Sequence, residues 1–357
     1  MSRRKSIDQM FILRFIGAVI VVVHHYGTTV LDETGFWKGF FDNGGFVLSF
    51  FFVLSAYVIG YHYFGNDRFN TADFLARRFS RLLPVYFIAF VATLVTGMIL
   101  RQAYPKVISI IAQILCLHAW IPSIALDINF PSWSISVEVL FVLVFPIMVF
   151  KMKDIKLSRL ILITVLFWAA SVVQHLLFEE YVLDDSKIWT RNLVLFFPLW
   201  HFNAFLMGIA GAEIYKHIST RKFPIWLPPL IGVLSVVILV LISGTENPIR
   251  RHIHNGLMSP IIVVMLLAFS LDRSIVGRVM AAKPMIFLGN LTFAIYIFQY
   301  PVYMWTEAAI FPNGPQGYDF YVYLFILPVF SAIVYKVNEV PARKWLMKKA
   351  KNRVRAS

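Results

Sequence analysis

The sequence predicts an all-α, polytopic membrane helix bundle, with about ten transmembrane spans plus one re-entrant or interfacial segment. Three observations predict it. Apolar runs of about 20 residues, the length a helix needs to cross a bilayer core, recur along the 357-residue chain. The composition is 59% hydrophobic and only 15% charged, with a mean hydropathy of +0.71; a soluble domain is nearer 45–50% apolar and about 25% charged. The basic residues gather in the gaps between runs, so the formal charge of +14 reads as cytoplasmic loops and not as a nucleic-acid surface.

The elements follow in order. Span 1, about 10–30, comes after MSRRKS and resembles a signal peptide. It is long, carries Arg14 and lacks a small-residue cleavage site, so an uncleaved signal-anchor helix is expected. An acidic loop leads to span 2 (about 44–64). The basic segment NDRFNTADFLARRFSRLLP then precedes span 3 (about 84–100), which Pro84 can open. The run 107–121 is too short to read as an ordinary span. Spans 4 to 10 are expected near 133–150, 157–177, 192–215, 225–243, 257–272, 285–306 and 318–335.

Loop charges settle how 107–121 behaves. If it crosses, KMKDIKLSR is placed outside; if it is re-entrant or interfacial, both termini are cytoplasmic and 25 Lys and Arg lie inside against 7 outside. The second arrangement is expected, with backbone at membrane depth covered by protein or lining a cavity. Residues 1–340 then form one transmembrane domain and 341–357 a basic cytoplasmic tail, with no repeat, linker or appended soluble domain expected. The single cysteine, Cys116, excludes an intrachain disulfide, and no cluster has metal-ligand spacing, so no metal is expected.

Ionisable residues inside spans are costly and mark candidate sites. Arg14 and His25 are separated by ten residues; eleven helical steps bring them back to within roughly 20° of one stripe, about 16 Å apart. His24 points about 100° away from that stripe. A snorkelling Arg and an interfacial His are the alternative. In GGFVLSFFFVLSAYVIG, Gly44 and Gly45 permit close backbone approach and Ser49 and Ser55 face a bundle, which ordinary small-residue packing also explains. Arg78 and Arg81 share a helix face at the inner edge, a fork suited to phosphates, although positive-inside topology accounts for them too. Glu138, in PSWSISVEVLF, is a carboxylate embedded in an apolar helix that needs a partner; a His or Arg of span 1 is available in principle.

Other signals are weaker. Glu339, Pro341 and Arg343 of NEVPARKW read as a local salt bridge beside the basic tail, and His62 and Asp67 as a chance match to a His-x4-Asp spacing. His252 and His254, in the external loop RRHIHNG, read as a solvated loop with contact to an acceptor as the alternative, and His201 and Asn203 as interfacial or cavity-facing. Serine elbows, Walker loops, Rossmann glycines and zinc helices are absent from the sequence.

Taken in order, Arg14-x10-His25, GGFVLSFFFVLSAY, ARRFSRLLPVY, WSISVEVLF, LGNLTFAIYIFQYPVY and NEVPARKW resemble the acyltransferase-3 family of integral membrane acyltransferases over about 10–345. The resemblance implies transfer of acyl groups, most often acetyl from acetyl-CoA, to hydroxyls of extracytoplasmic glycans such as O-antigen, exopolysaccharide or peptidoglycan sugars. It implies that His25 is the essential histidine, Arg14 its paired arginine, Arg78 and Arg81 the basic segment, and Glu138 the acidic residue of W-S-x-x-x-E. The chain departs from the family pattern at Ser55-Ala56, at Gln299 and at Val142. Many relatives carry an added esterase-like domain; ending about 20 residues after the last span, this chain is expected to act alone or with a separate partner.

The implied mechanism has His25 as general base, Glu138 orienting it or its substrate, and Arg78 and Arg81, with Arg14, holding the phosphates of CoA. Expected partners are an acyl-CoA, an extracytoplasmic glycan or lipid-linked sugar, and membrane lipids, with no nucleic acid; a homo-oligomer is left open. The expected location is the inner membrane. A secondary transporter or exporter of a glycan-related or acylated solute is the rival, but no matched pair of broken segments is found in the two halves. A scaffold with a dead site is a third class.

Overall fold

The structure, a computed structural model, describes residues 7–30, 35–152, 154–246, 248–312 and 318–356, and leaves the side chains of 29, 248–251 and 350–356 undescribed. The MSRRKS segment and residues 31–34 of the first acidic loop therefore lie outside the described residues. Fifteen α-helices follow one another among those described: α1 Met10–Tyr26, α2 Phe36–Asp42, α3 Phe46–Tyr63, α4 Thr71–Leu100, α5 Val107–Ile114, α6 Trp133–Met152, α7 Leu157–Tyr181, α8 Ile188–Phe196, α9 Phe202–Ile218, α10 Leu227–Gly244, α11 Ser259–Leu271, α12 Ile275–Met280, α13 Lys283–Ile310, α14 Tyr318–Val334 and α15 Val340–Ala356. Eight helical stretches are long and apolar enough to cross a membrane, and α1 and α11 are apolar but shorter, at 17 and 13 residues. The chain is a multi-pass, all-α membrane protein.

The run 107–121 does not form a spanning helix. α5 has 8 residues, about 12 Å of rise against a core of about 30 Å. Short 3₁₀ turns at His118–Trp120, Pro122–Ile124 and Phe130–Ser132 then lead into α6. Several boundaries differ from the expectation: α1 ends at Tyr26, and the run expected as one span at 192–215 is α8 and α9, broken by a 3₁₀ turn at Pro198–His201; two more differences bear on the site. α4 begins at Thr71, well before Pro84, because Asn70 caps it by accepting the Asp73 N–H at 2.9 Å and Asp73 pairs with Arg77 one turn on at 2.7 Å. Pro84 sits inside the helix, so Arg78 and Arg81 ride on the same rod as the span. At the other end, α14 continues through a π turn, Tyr335–Glu339, directly into α15. A π turn accommodates an extra residue without ending the helix.

The chain divides into two compact units. The first comprises residues 1–64, 154–180 and 200–292. Its tightest pairing, α3 with α9, is made through small residues: a Cβ on Gly208 would meet Ala56 Cβ at 2.5 Å, and one on Gly60 would meet Ala212 Cβ at 3.0 Å. Such interfaces let backbones approach where the hydrophobic effect does not separate lipid from protein. Ala56, a departure from the family pattern, is thus part of this seam. Tyr57 donates to Ser270 Oγ at 3.0 Å and ties α3 to α11. Of α7, only Leu160, Thr164 and His175 are buried.

The second unit comprises 65–153, 181–199 and 293–357. Phe74 of α4 packs on Phe145 of α6 with ring centroids 5.0 Å apart, and Trp305 of α13 donates to Thr96 of α4 at 2.7 Å. Tyr296 donates to the Pro131 carbonyl at 2.6 Å, and Tyr323 of α14 to the Gln299 carbonyl at 2.8 Å. Gln299 itself is fully buried and donates to Tyr296 O at 2.7 Å.

Candidate active site

In the first unit, the stripe expected on α1 is present. Met10, Ala18 and Val21, which share the face of Arg14 and His25, are buried, whereas Ile16 on the far side is 48% exposed. Arg14 and His25 are both half-buried. The Arg14 guanidinium lies 5.7 Å from the ring centroid of Phe11, one turn earlier. Burial on α1 is not confined to this stripe, since Val23, on the opposite face, is also buried; Arg14 and His25 lie on a partly covered face.

His25 sits beside a more constrained neighbour. The His24 and His25 ring centroids are 5.0 Å apart. His24 Nδ1 lies 2.7 Å from the Phe41 carbonyl, which can only accept, so Nδ1 carries the proton. Gly44 closes against the same residue: a Cβ there would fall 2.6 Å from His24 Cβ. Gly45 does the same for a second imidazole, since its Cβ would fall 2.8 Å from His254 Cδ2. The tandem glycines therefore admit two imidazoles at the start of α3, a closer role than general packing.

His254 and His252 are corrected from a solvated loop to parts of a network. Ser49 donates to the His254 carbonyl at 2.7 Å, and the His254 and His201 rings are 6.0 Å apart. The Asn255 amide bridges two imidazoles, with Oδ1 3.1 Å from His254 Nδ1 and Nδ2 2.9 Å from His175 Nδ1. His175 Nε2 lies 3.3 Å from Glu179 Oε1 on the next turn of α7, and His252 Nδ1 pairs with Glu179 Oε2. His201 and Asn203, expected at an interface or cavity, are each 1% exposed. Asn203 donates to the Asn255 carbonyl at 3.0 Å beneath Gly256, whose φ of +86° favours glycine. The His175-x3-Glu179 spacing was visible in the sequence, but its partner His252 is remote along the chain, so no local motif could reveal the group.

The remaining predicted site residues belong to the second unit. Arg78 is half-buried on α4, 5.8 Å from the Phe74 ring centroid. Arg81 is also half-buried, and it supplies, with Arg343, the positive charge that acts on Glu339. Glu339 is 3% exposed, and its Oε2 has no hydrogen-bond partner. The salt bridge expected within NEVPARKW is not formed: no Lys or Arg nitrogen pairs with Glu339 among the described residues, and Arg81 and Arg343 act on it only as nearby charges. Glu138 is half-buried on α6, just beyond the fully buried Ser136 and Val137.

A buried histidine with no motif around it lies on the 3₁₀ turn between α5 and α6 and packs against the start of α6. His118 is 1% exposed, with Nε2 3.2 Å from Ser132 Oγ and Nδ1 3.4 Å from Ser136 Oγ. Ser132 gives its own proton to the Asn129 carbonyl at 2.6 Å and accepts from Gln113 at 2.6 Å. Burial pushes the His118 pKa down to about 4, so the ring is neutral at physiological pH. Burial likewise pushes the Cys116 thiol up to about 11, which leaves no thiolate nucleophile there at neutral pH.

Residues 5–336 match the family model Acyl_transf_3, described as an acyltransferase domain. The chain is 24% identical over 329 residues to "Putative peptidoglycan O-acetyltransferase YrhL" of Bacillus subtilis, covering 84% of this chain and 51% of that protein. It is 20% identical over 365 residues to "O-acetyltransferase OatA" of Staphylococcus aureus, covering 93% of this chain and 56% of the relative. The chain thus spans about half the length of the curated relatives it matches. No solved structure matches it.

Proposed function

This chain belongs to the acyltransferase-3 family, and from that membership we propose that it is a membrane O-acyltransferase that carries acetyl from acetyl-CoA to a hydroxyl of an extracytoplasmic glycan or lipid-linked sugar. The names of the relatives support O-acetyl transfer, and the word peptidoglycan in one of them supports a cell-envelope glycan as acceptor. The observation that carries the reading is His25: an imidazole kept half-exposed on a partly covered face of an apolar helix, beside a His24 fixed by Phe41 and Gly44.

In the proposed reaction His25 takes the proton of the acceptor hydroxyl while that oxygen forms a C–O bond to the thioester carbonyl carbon. The C–S bond breaks, and the departing CoA thiolate recovers the proton from the imidazolium, so the step is proton-neutral. Arg14, about three turns from His25, stabilises negative charge on the donor, with the CoA phosphates as its partner. Arg78 and Arg81 enter through their motif as the phosphate-binding pair, and Glu138 through its motif as an orienting carboxylate. The charge of the loops supports an inner-membrane protein with both termini cytoplasmic.

The test uses the full chain reconstituted in lipid vesicles with labelled acetyl-CoA and a peptidoglycan or polysaccharide acceptor. His25→Ala, still inserted and folded, is expected to lose transfer by about 10²-fold or more, the range of general-base contributions. Undiminished ester formation by that variant overturns the assignment.

A further inference from the structure

We infer that His175, Glu179 and His252 form a binding site for a divalent transition-metal ion of the zinc class, independent of the acyl-transfer residues. One ligand atom from each of the three side chains lies within 4.8 Å of the others. Two imidazole nitrogens and a carboxylate oxygen are a donor set that suits zinc and its first-row neighbours, whereas calcium and magnesium favour oxygen alone. Bonds of about 2.0–2.2 Å place the ligand atoms of a tetrahedral site roughly 3.3–3.6 Å apart. The 3.3 Å between His175 Nε2 and Glu179 Oε1 already meets that spacing.

The placement of His175 is the second observation. It is 3% exposed, and its Nε2 has no hydrogen-bond partner even though the Glu179 carboxylate is within reach. The far side of the ring is held by Asn255, 4% exposed, at 2.9 Å from Nδ1. It is the Asn255 Nδ2 that faces Nδ1, with Oδ1 on His254; binding a cation at Nε2 requires this amide to turn so that its oxygen accepts from His175 Nδ1–H, the outer-shell contact that fixes metal-bound imidazoles.

The site has a structural consequence. Glu179 and His175 come from the largely uncovered helix α7, while His252 comes from the 3₁₀ segment Pro248–Asn255 that also carries His254. A cation here clamps that segment to α7 and holds His254 against Gly45. Three protein ligands leave a fourth position open to water.

The test is zinc binding by the full chain, purified in detergent without a polyhistidine tag, stripped with a chelator and then given zinc chloride. Expected is about one zinc per chain by elemental analysis, with a thermal midpoint raised by zinc and lowered by chelator. Glu179→Gln and His252→Ala should each weaken binding at least tenfold, and Asn255→Ala by about 10–100-fold with all three ligands intact. Cobalt(II) should give the visible absorption of a low-symmetry site in the wild type and not in His252→Ala. Two results overturn the proposal: substoichiometric zinc with a thermal midpoint indifferent to chelator, or stoichiometric zinc that Glu179→Gln and His252→Ala both leave unchanged.

Discussion

Nδ1 of His24 lies 2.7 Å from the carbonyl oxygen of Phe41, and the backbone that follows Phe41 returns at Gly44 to touch the same histidine. The last turn of α1 is thereby held from two sides, and His25 rides on that turn. A methyl group at Gly44 cannot be absorbed by a flexible side chain, because it meets His24 Cβ at 2.6 Å. Gly44→Ala is expected to cost about 1–3 kcal/mol and to lower acetyl transfer through displacement of His25. Gly97→Ala is the control: nothing lies within 4 Å of the added carbon, so it should leave transfer unchanged and stabilise by up to about 1 kcal/mol. Thermal midpoints in detergent and initial transfer rates check both.

The two adjacent imidazoles should separate cleanly by mutation. His24 uses Nδ1–H to hold the Phe41 carbonyl, so His24→Ala loses one hydrogen bond and some packing, about 1–3 kcal/mol. Its effect on transfer should be well below the loss in His25→Ala. Equal loss in both variants, with both still folded, would mean that the assignment of the base to His25 is wrong.

Arg78 and Arg81, alike in sequence, differ in surroundings. Arg81 shares its field with the buried Glu339, whereas Arg78 lies against Phe74. Arg78→Ala should raise the KM for acetyl-CoA by about tenfold, the weight of one charge-assisted contact. Arg81→Ala should also destabilise, because it leaves the Glu339 carboxylate buried with one fewer cation. Adding Glu339→Gln should recover part of that stability but none of the KM. A double-mutant cycle on the thermal midpoint measures the coupling, and a value near zero would show that the two residues do not interact.

The sequence was most legible where periodicity and composition carry the signal. The apolar runs mark the long helices, and the i, i+4, i+7, i+11 relation of Arg14, Ala18, Val21 and His25 follows from helix geometry alone. Helix ends were less legible: Pro84 suggested a start, yet the Asn70 cap and the Asp73–Arg77 pair begin α4 more than three turns earlier. Least legible were contacts between residues far apart in the chain. Nothing in RRHIHNG announces that His254 rests on Gly45 or that His252 meets Glu179, since no period or spacing links the Pro248–Asn255 segment to α3 or α7. His118 is hidden for the same reason: its partners Ser132 and Ser136 join it only through the turns after α5.

His118 also makes a pH prediction. Its pKa in the folded protein, about 4, lies below the ordinary 6.5 because burial disfavours the charged ring. Above pH 6.5 the ring is neutral whether the chain is folded or not, so it contributes no pH dependence. As pH falls from 6.5 toward 4, the unfolded chain binds a proton that the folded one refuses, and stability is lost over that window. The shift corresponds to a loss on the order of 3 kcal/mol. Below pH 4 both states are protonated and the loss stops growing. His118→Gln keeps a polar group between Ser132 and Ser136 but removes the titration. It is expected to have a lower thermal midpoint at pH 7.5, where one of the ring's two contacts is lost, and a flatter decline between pH 6.5 and 4. A variant whose midpoint falls with pH as steeply as the wild type would assign that acid sensitivity to other groups.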